Sequence, residues 1–193
     1  MNVIIIDYGA GNIQSIQFAF QRLGVHAKLS NSVEEILSAD KVIFPGVGEA
    51  SQAMQMLKKS KLDLLIPNLK QEVLGICLGM QLLCNHTEES NTKGLGVFDV
   101  DVKQFSNTVK VPHMGWNTIQ NLQSDLLKGI PENSFMYSVH SYDASIGKQT
   151  IASSEYELDF SAALQSDNFY GVQFHPEKSS KDGAQLLQNF LNL

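Results

Sequence analysis

At 193 residues, with 43% apolar and 18% charged residues, the chain is long and apolar enough to bury the core of one globular domain, expected over residues 1–193. Its formal net charge of −6 argues against nucleic acid or an anionic membrane as a partner. The first apolar run, Val3 to Ile6, is too short for a signal peptide, and no stretch approaches the roughly 18 apolar residues of a membrane helix. Two cysteines, Cys77 and Cys84, are too few for a disulfide framework, so we expect a reducing, cytoplasmic location.

The first half of the chain alternates between short apolar segments and amphipathic segments. Strands are predicted over residues 3–6, 25–29, 41–44 and 73–76. Helices are predicted over residues 12–23, 32–37, 49–58, 62–70 and 78–85, with Gly24 as a helix stop and a capping box at Ser32 and Glu35. This alternation predicts a parallel α/β sheet with right-handed crossovers.

The second half is richer in strands, which are predicted over residues 97–105, 118–119, 134–141, 150–153, 162–165 and 170–174, before a closing helix over 179–193. We therefore predict an α/β fold in which helices cover both faces of a mostly parallel sheet, with antiparallel strands added late in the chain. Ligands of such sheets bind at the carboxyl ends of the strands, and Cys77 directly follows one of these ends.

Cys77 lies between two glycines in VLGICLGMQLL, residues 73–83. A Gly-x-Cys-x-Gly turn between a strand and a helix has the mechanics of a nucleophile elbow, because so tight a turn tolerates only small neighbours. The free N–H groups and positive dipole end of a helix that begins at Leu78 would favour a thiolate and hold an oxyanion. The alternative is a buried cysteine that fills space at a strand end.

A thiol nucleophile needs a base, and the base needs a group that orients it. Four of the five histidines fall in a predicted strand, at a helix end or in loops, namely His26, His86, His113 and His140. The fifth, His175, follows an apolar strand in FYGVQFHPEKS, and Glu177 can lie on the same side of the extended chain. The alternative is a His-Pro-Glu turn on the surface.

Two cofactor interpretations fail on spacing. The His-x-Glu of residues 175–177 is similar to the zinc deaminase motif, which also needs a downstream Pro-Cys-x-x-Cys, and no cysteine follows His175. The segment DYGAGN, residues 7–12, is followed by Gln14 where a dinucleotide-binding loop needs its third glycine. We therefore expect neither a metal nor an organic cofactor.

GICLGMQLL, together with the distant QFHPEKS, resembles the class I, or triad, glutamine amidotransferases. The resemblance implies a flavodoxin-like α/β fold and the hydrolysis of glutamine to glutamate and ammonia. Residue by residue, it implies that Cys77 is the nucleophile, His175 the base and acid, and Glu177 the orienting carboxylate.

The resemblance also implies how the substrate is held. The family's oxyanion loop is matched by PGVG, residues 45–48, so the backbone N–H groups of Val47 and Leu78 would form the oxyanion hole. The glutamine-binding residues of the family are matched by Gly48, Gln81, Ser141 and Tyr142. Cys84 is interpreted as a packing thiol, on the helix that follows the nucleophile.

Four stretches narrow the resemblance to the branch of the family that supplies a cyclase in histidine biosynthesis: DYGAGN, PGVG, KVPHMGWN (residues 110–117) and HPEKS (residues 175–179). The implied partner is a separate cyclase barrel subunit, bound as a heterodimer, which uses the ammonia to make imidazole glycerol phosphate and aminoimidazole carboxamide ribotide. KVPHMGWN would be an exposed loop at this interface. The implied interface residues are Asn12, Pro112, His113, Met114, Trp116 and Lys178.

Two alternatives remain open at this stage. A paralogous stand-alone glutaminase subunit could keep these loops and feed another synthase, and a catalytically silent binding subunit could share the fold. The intact set of Cys77, His175 and Glu177 argues against the silent subunit. Trp116, the only tryptophan, would be a core residue if it did not lie at an interface.

Overall fold

The computed structural model describes residues 1–193. Its thirteen strands are β1 (Val3–Ile6), β2 (Ala27–Ser30), β3 (Lys41–Phe44), β4 (Glu72–Ile76), β5 (Cys84–Thr87), β6 (Thr92–Lys93), β7 (Phe98–Gln104), β8 (His113–Thr118), β9 (Phe135–His140), β10 (Tyr142–Ala144), β11 (Thr150–Tyr156), β12 (Leu158–Ser166) and β13 (Phe169–Val172). Its six α-helices are α1 (Ile13–Arg22), α2 (Val33–Leu37), α3 (Ala50–Lys59), α4 (Leu62–Leu65), α5 (Leu78–Leu83) and α6 (Ser180–Asn192). None of these helices is both long and apolar enough to cross a membrane.

The amino-terminal half forms the parallel part of an eleven-stranded sheet. Strands β2, β1, β3 and β4 lie side by side in that order, and each is parallel to its neighbour. All four residues of β1 are buried, because this part of the sheet is covered on both faces. The predicted strands 3–6 and 41–44 are confirmed, and the predicted strand 73–76 begins one residue earlier.

Two hydrophobic cores lie on opposite faces of this sheet. Side chains alternate along a strand, so Val3 and Ile5 join the core under α1 and α6, while Ile4 and Ile6 join the core under α2 to α5. The prediction that helices cover both faces is therefore confirmed.

The second half of the chain returns to the sheet on the free side of β4. Strand β13 pairs with β4 in parallel, and β12 then pairs with β13 in the antiparallel sense. Strands β10, β7, β5 and β6 extend the sheet beyond β12, and β11 also pairs with β12. This arrangement confirms the predicted α/β fold with late antiparallel strands. Since β4 and β13 are parallel neighbours, the segments that follow them emerge at the same edge of the sheet.

Strands β8 and β9 form a separate antiparallel pair, in which His113 lies opposite His140. The prediction that KVPHMGWN is an exposed loop is therefore wrong over most of its length, and neither histidine lies in a loop. Pairing with β9 stabilises β8, and such a cross-strand partner is not visible in the local sequence.

The segment after α5 also differs from the prediction. The predicted helix 78–85 ends at Leu83, and Cys84 begins β5, so neither Cys84 nor His86 lies on a helix. The carbonyl oxygen of Leu83 accepts a hydrogen bond from the backbone N–H of Val97 at 2.8 Å, which takes the place of a helical bond.

Two further local predictions hold only in part. The predicted helix 62–70 breaks into α4 and a short 3-10 helix, Ile66–Asn68, because Pro67 has no N–H to donate. At the start of α2, the hydroxyl of Ser32 accepts a hydrogen bond from the N–H of Glu35 at 3.3 Å, as a capping box requires. The Glu35 carboxylate, however, binds Lys28 at 2.6 Å, so the reciprocal bond of the box is missing.

Candidate active site

Cys77 lies on a strained turn between β4 and α5. Its backbone has φ 53° and ψ −111°, a positive φ that residues other than glycine avoid. The neighbouring positions need glycine, since a Cβ on Gly79 would lie 2.0 Å from the carbonyl oxygen of Phe44. A Cβ on Gly75 would lie 2.9 Å from the backbone nitrogen of Met80. The turn therefore has the geometry that a nucleophile elbow requires.

His175 is held against the same edge of the sheet. It follows β13, and its backbone N–H donates to the carbonyl oxygen of Tyr137 at 2.8 Å. Its side chain is only 6% exposed, and Nδ1 lies 2.9 Å from Oε1 of Glu177, whose side chain is 1% exposed. The Glu177 carboxylate accepts a hydrogen bond from the Nδ1–H group of His175. The other ring nitrogen, Nε2, is therefore left for proton transfer.

The electrostatic surroundings favour a charged imidazole. Burial alone lowers the pKa of His175, but the neighbouring side chains of Cys77 and Glu177 outweigh burial and raise this pKa to about 10. This direction favours the protonated imidazolium form of His175 beside the Glu177 carboxylate. His140 behaves in the opposite way, because burial lowers its pKa to about 3 and keeps it neutral.

Cys77, His140 and His175 line one cleft of about 330 Å³, which has room for a molecule of amino-acid size. Glu177 does not line the cleft and reaches it only through His175. The cleft brings together the other predicted catalytic, oxyanion-hole and glutamine-binding residues. Its lining residues are Val47, Gly48, Cys77, Leu78, Gln81, Glu89, Pro112, Val139, His140, Ser141, Tyr142, His175 and Lys178.

The loop of residues 45–48 packs directly on the start of α5. A Cβ on Gly46 would lie 2.6 Å from the backbone nitrogen of Gly79, so the loop approaches the helix more closely than any side chain would allow. Val47 and Leu78 consequently flank the cleft from two different elements.

Gln81 is buried, and two acceptors fix the orientation of its amide. Its Nε2 donates to the carbonyl oxygen of Tyr142 at 2.9 Å and to Oε1 of Gln173 at 2.8 Å. A backbone carbonyl only accepts hydrogen bonds, so the NH₂ end of the Gln81 amide must face Tyr142. Since both N–H groups are occupied, the atom that Gln81 can offer to a ligand is Oε1, an acceptor.

Comparison with known proteins places the chain in a family. Residues 4–193 match the family model described as glutamine amidotransferase class-I. The chain is 53% identical to imidazole glycerol phosphate synthase subunit HisH of Bacteroides fragilis, with 100% of both chains covered. The chain belongs to the HisH family of class-I glutamine amidotransferases. The HisH subunit of Vibrio vulnificus is 47% identical to it, with 99% of this chain and 98% of the relative covered.

A solved structure described as a glutamine amidotransferase shares the fold, with a TM-score of 0.76 and 17% identity over 99% of this chain and 98% of that one. Membership of the HisH family confirms the resemblance drawn from GICLGMQLL, QFHPEKS and KVPHMGWN, and the protein is an enzyme of the glutamine amidotransferase class.

Sequence analysis missed two polar residues of this HisH-family site. Glu89 is the only acidic residue that lines the cleft. Its Oε2 accepts a hydrogen bond from the backbone N–H of Ala50 at 2.9 Å, and burial raises the pKa of its carboxyl group. Its polar segment, TEESN, carries no recognisable signal. Gln173 does lie in a motif, two residues before His175, but its side chain had no assigned role.

Tyr8 was also missed, although it lies within DYGAGN. Its hydroxyl donates to the carbonyl oxygen of Pro45 at 2.8 Å and so anchors the loop that carries Val47. Burial, with the nearby charge of Cys77, raises the pKa of Tyr8, so the hydroxyl keeps the proton that it donates.

Two of the predicted interface residues of this HisH-family chain, Pro112 and Lys178, line the cleft, and all of the six but one are exposed or partly exposed. Trp116 is 52% exposed and lies edge-on to the ring of Tyr137 at 5.8 Å, so the alternative of a core tryptophan is wrong. The Nζ atom of Lys178 lies 5.8 Å from the same ring. Met114 is exposed, Pro112 lines the cleft, and the partly exposed Asn12 precedes α1.

The exception is His113. Its side chain is buried, stacks on Tyr156 with a centroid separation of 4.0 Å, and makes a 3.2 Å hydrogen bond to His140. His113 faces inward because residues alternate along β8, which the loop prediction did not anticipate. Its side chain is therefore not available to a partner at this surface.

Proposed function

We propose that the chain hydrolyses glutamine to glutamate and ammonia, and that it passes the ammonia to a separate cyclase barrel subunit. The barrel makes imidazole glycerol phosphate and aminoimidazole carboxamide ribotide in histidine biosynthesis. The observation that carries the proposal is the convergence of the strained Cys77 turn and the buried His175–Glu177 pair on one cleft. The name of the relatives, a subunit of imidazole glycerol phosphate synthase, supports the choice of pathway.

In the first half-reaction, the Cys77 thiolate attacks the side-chain amide carbon of glutamine and forms a carbon–sulfur bond. The carbonyl oxygen takes up the negative charge and accepts hydrogen bonds from the N–H groups of Val47 and Leu78. The imidazolium group of His175 then protonates the amide nitrogen, and the carbon–nitrogen bond breaks. Ammonia departs, and a glutamyl thioester remains on Cys77.

In the second half-reaction, neutral His175 takes a proton from water, and the resulting hydroxide attacks the thioester carbon. The carbon–sulfur bond breaks, which releases glutamate and restores the thiolate and imidazolium. Glu177 holds Nδ1 of His175 through both steps and stabilises its positive charge, as the 2.9 Å contact supports.

Hydrogen-bonding capacity orients the substrate in the cleft. The free Oε1 of Gln81 accepts from an N–H group of glutamine, and the Glu89 carboxylate pairs with the α-ammonium group, since it is the only acidic lining residue. Gly48, Ser141 and Tyr142 bind the remainder of the amino acid. This polarity selects a ligand that is cationic at one end and an amide at the other.

The partner surface in this proposal comprises Asn12, Pro112, Met114, Trp116 and Lys178, of which Pro112 and Lys178 line the cleft. Exposed Met114 and Trp116 supply the apolar contact area. Lys178 lines the cleft and also lies over Tyr137, so it connects the site to this surface. Ammonia that is released from the substrate beneath a bound partner reaches the barrel without being lost to water.

Glutamate release from glutamine tests the proposal, first by the chain alone and then with a synthase barrel subunit and its ribotide ligand. We expect a large rise on mixing that is lost in Cys77→Ala. The matched control is Cys84→Ala, which removes the other free cysteine and is expected to retain the rise. Near-normal glutaminase activity of Cys77→Ala would overturn the triad assignment.

A second outcome concerns the partner. If mixing produces no rise while a glutamine-analogue electrophile still labels Cys77, the chain is a glutaminase that serves a different synthase. If Cys77 is neither labelled nor needed, the catalytically silent alternative is correct.

A further inference from the structure

Gln173 is a buried polar residue to which the mechanism above gives no role. It is 1% exposed and lies between the end of β13 and His175. Its Nε2 lies 3.8 Å from Sγ of Cys77, within hydrogen-bonding distance of a sulfur acceptor, and its Oε1 accepts from Gln81 at 2.8 Å. The side chain therefore connects the nucleophile to a residue of the ligand cleft.

The orientation of this amide follows from the network around it. The carbonyl oxygen of Tyr142 can only accept, so the Nε2 end of Gln81 faces Tyr142. The same Nε2 lies against Gln173, which must therefore present its Oε1 there. The remaining end of Gln173, its NH₂ group, then points at Cys77. A flipped Gln173 would place two donors face to face.

The two polar neighbours of the Cys77 sulfur suit different protonation states. The carbonyl oxygen of Val139, 3.8 Å away, accepts the S–H of a neutral thiol. The amide N–H of Gln173 donates to the negative sulfur of a thiolate. In a buried site, a donor of this kind stabilises the charged form because little water reaches it.

We propose that Gln173 holds and stabilises the Cys77 thiolate and, by fixing the amide of Gln81, positions the glutamine-binding side of the cleft as well. The inference rests on the proposed function, in which Cys77 is the nucleophile. It makes Gln173 a positioning residue for substrate and a direct hydrogen-bond donor to the reacting sulfur.

The first test is the pH dependence of Cys77 alkylation by iodoacetamide in the absence of glutamine, followed by mass spectrometry of the Cys77 peptide. Gln173→Met keeps the length of the side chain but has no N–H group. We expect the midpoint of the alkylation profile to rise by about one to two pH units, because the loss of a hydrogen bond to a charged group produces a shift of this size. The kcat for glutamate release should fall by roughly 10- to 100-fold.

Two further variants make the result specific. Gln173→Glu keeps the shape and the acceptor atoms but places a carboxylate beside the sulfur, so its midpoint should rise at least as far. Gln165→Met is the matched control: it makes the same replacement in a partly buried glutamine on β12 and should leave midpoint and kcat unchanged.

An unchanged alkylation midpoint in Gln173→Met or in Gln173→Glu would overturn the inference. The alkylation assay contains no glutamine, so it separates this inference from the proposed function. If the alkylation midpoint of Cys77 shifts but the chain never releases glutamate, the proposed function is wrong and the role of Gln173 still holds.

Discussion

Cys77 has a backbone conformation that glycine adopts freely and other residues do not. The neighbouring sheet and helix impose it, because the backbone N–H of Cys77 donates to the Val172 carbonyl oxygen of β13 at 2.8 Å. Such a positive φ costs about 1–3 kcal/mol, which the rest of the fold offsets. The buried side chain of Cys77 thereby lines the cleft at the edge of the core.

Replacing Cys77 with Gly or with Ala measures this strain. Alanine is normally favoured over glycine by about 0.5–1 kcal/mol, but at a positive φ we expect Cys77→Gly to be the more stable variant by about 1 kcal/mol. Urea unfolding of the two variants gives the difference. The control is Cys84, also buried but with φ −71°, where Ala should be more stable than Gly. If the alanine variant were the more stable one at both positions, the backbone of Cys77 would not be strained.

Asp143 gives a pH-dependent prediction. Chiefly because of burial, and despite Lys103 on β7, its pKa is raised to about 6. The folded chain then binds more protons than the unfolded chain between pH 4 and 6, so stability falls as pH rises through this window. Asp143→Asn should be more stable than the original chain by about 1–2 kcal/mol at pH 7, a size that allows for the partial exposure of the carboxyl group. The difference should shrink as pH falls and be small at pH 4, close to the ordinary pKa of aspartate.

Urea unfolding at several pH values checks this difference. The control Asp159→Asn changes an exposed aspartate on the adjacent strand β12 and should alter stability by less than about 0.5 kcal/mol at each pH. An Asp143→Asn advantage that does not vary with pH would mean that the titration of this carboxyl group is not the cause.

Sequence alone predicted residues whose chemistry is carried by a local motif. Cys77 lies between two glycines, and His175 and Glu177 lie two residues apart, so both patterns could be read directly. Glu89 and the contacts of Gln173 could not be predicted, because each residue meets partners that lie far away in the chain. Gln173 meets Cys77 across 96 positions, and Glu89 meets Ala50 across 39.

At the scale of elements, α5 is a helix of only six residues whose first turn is built into the site. So short a helix is not stable by itself and depends on tertiary packing. That packing is the close approach of residues 45–48, for which Gly46 and Gly79 leave room.

Gly79→Ala should disrupt this packing. The new Cβ would lie 2.0 Å from the carbonyl oxygen of Phe44, and backbone atoms cannot move aside as a flexible side chain can. We expect a loss of about 3 kcal/mol or more in the free energy of unfolding, measured by urea denaturation. Gly129→Ala is the control, since its φ of 76° is strained but no atom lies within 4 Å, and it should cost only about 1 kcal/mol. Equal losses in both variants would rule out the close approach as the cause.

The elements that sequence predicted well are those with a strong internal pattern. β1 and β3 are short, largely apolar runs, and α1 has apolar residues at helical spacing, so the pattern lies within each element. Sequence predicted all three elements as the correct type. β5 was mistaken for the end of a helix, because Cys84-Asn85-His86-Thr87 continues from Leu83 without a glycine or proline. β8 was mistaken for a loop because its regularity comes from β9.

At the scale of the whole molecule, α6 ties the last residues of the chain to the segment before β9. Asn189 of α6 is buried, and its Nδ2 donates to the carbonyl oxygens of Leu126 and Lys128 at 2.9 and 2.8 Å. These bonds satisfy backbone groups that no strand or helix pairs with. One side chain thus fastens the carboxyl-terminal helix to the second half of the fold.

Asn189→Ala should leave both carbonyl oxygens without this donor and lower the free energy of unfolding by about 2–3 kcal/mol. Asn192→Ala, at the exposed end of the same helix, should change it by less than about 0.5 kcal/mol. Thermal or urea unfolding of the two variants compares them directly. Similar stabilities would show that α6 is held by its apolar face alone.

The pairing of β13 with β4 also has a consequence for protein synthesis. A ribosome adds Cys77 to the chain well before it adds His175. One edge of β4 stays unpaired until residues 169–172 have been synthesised. A nascent chain that has not reached residue 175 carries Cys77 without His175, so by the proposed mechanism it cannot hydrolyse glutamine. By that mechanism, activity begins only after β13 has been inserted between β4 and β12, which makes it a late event in folding.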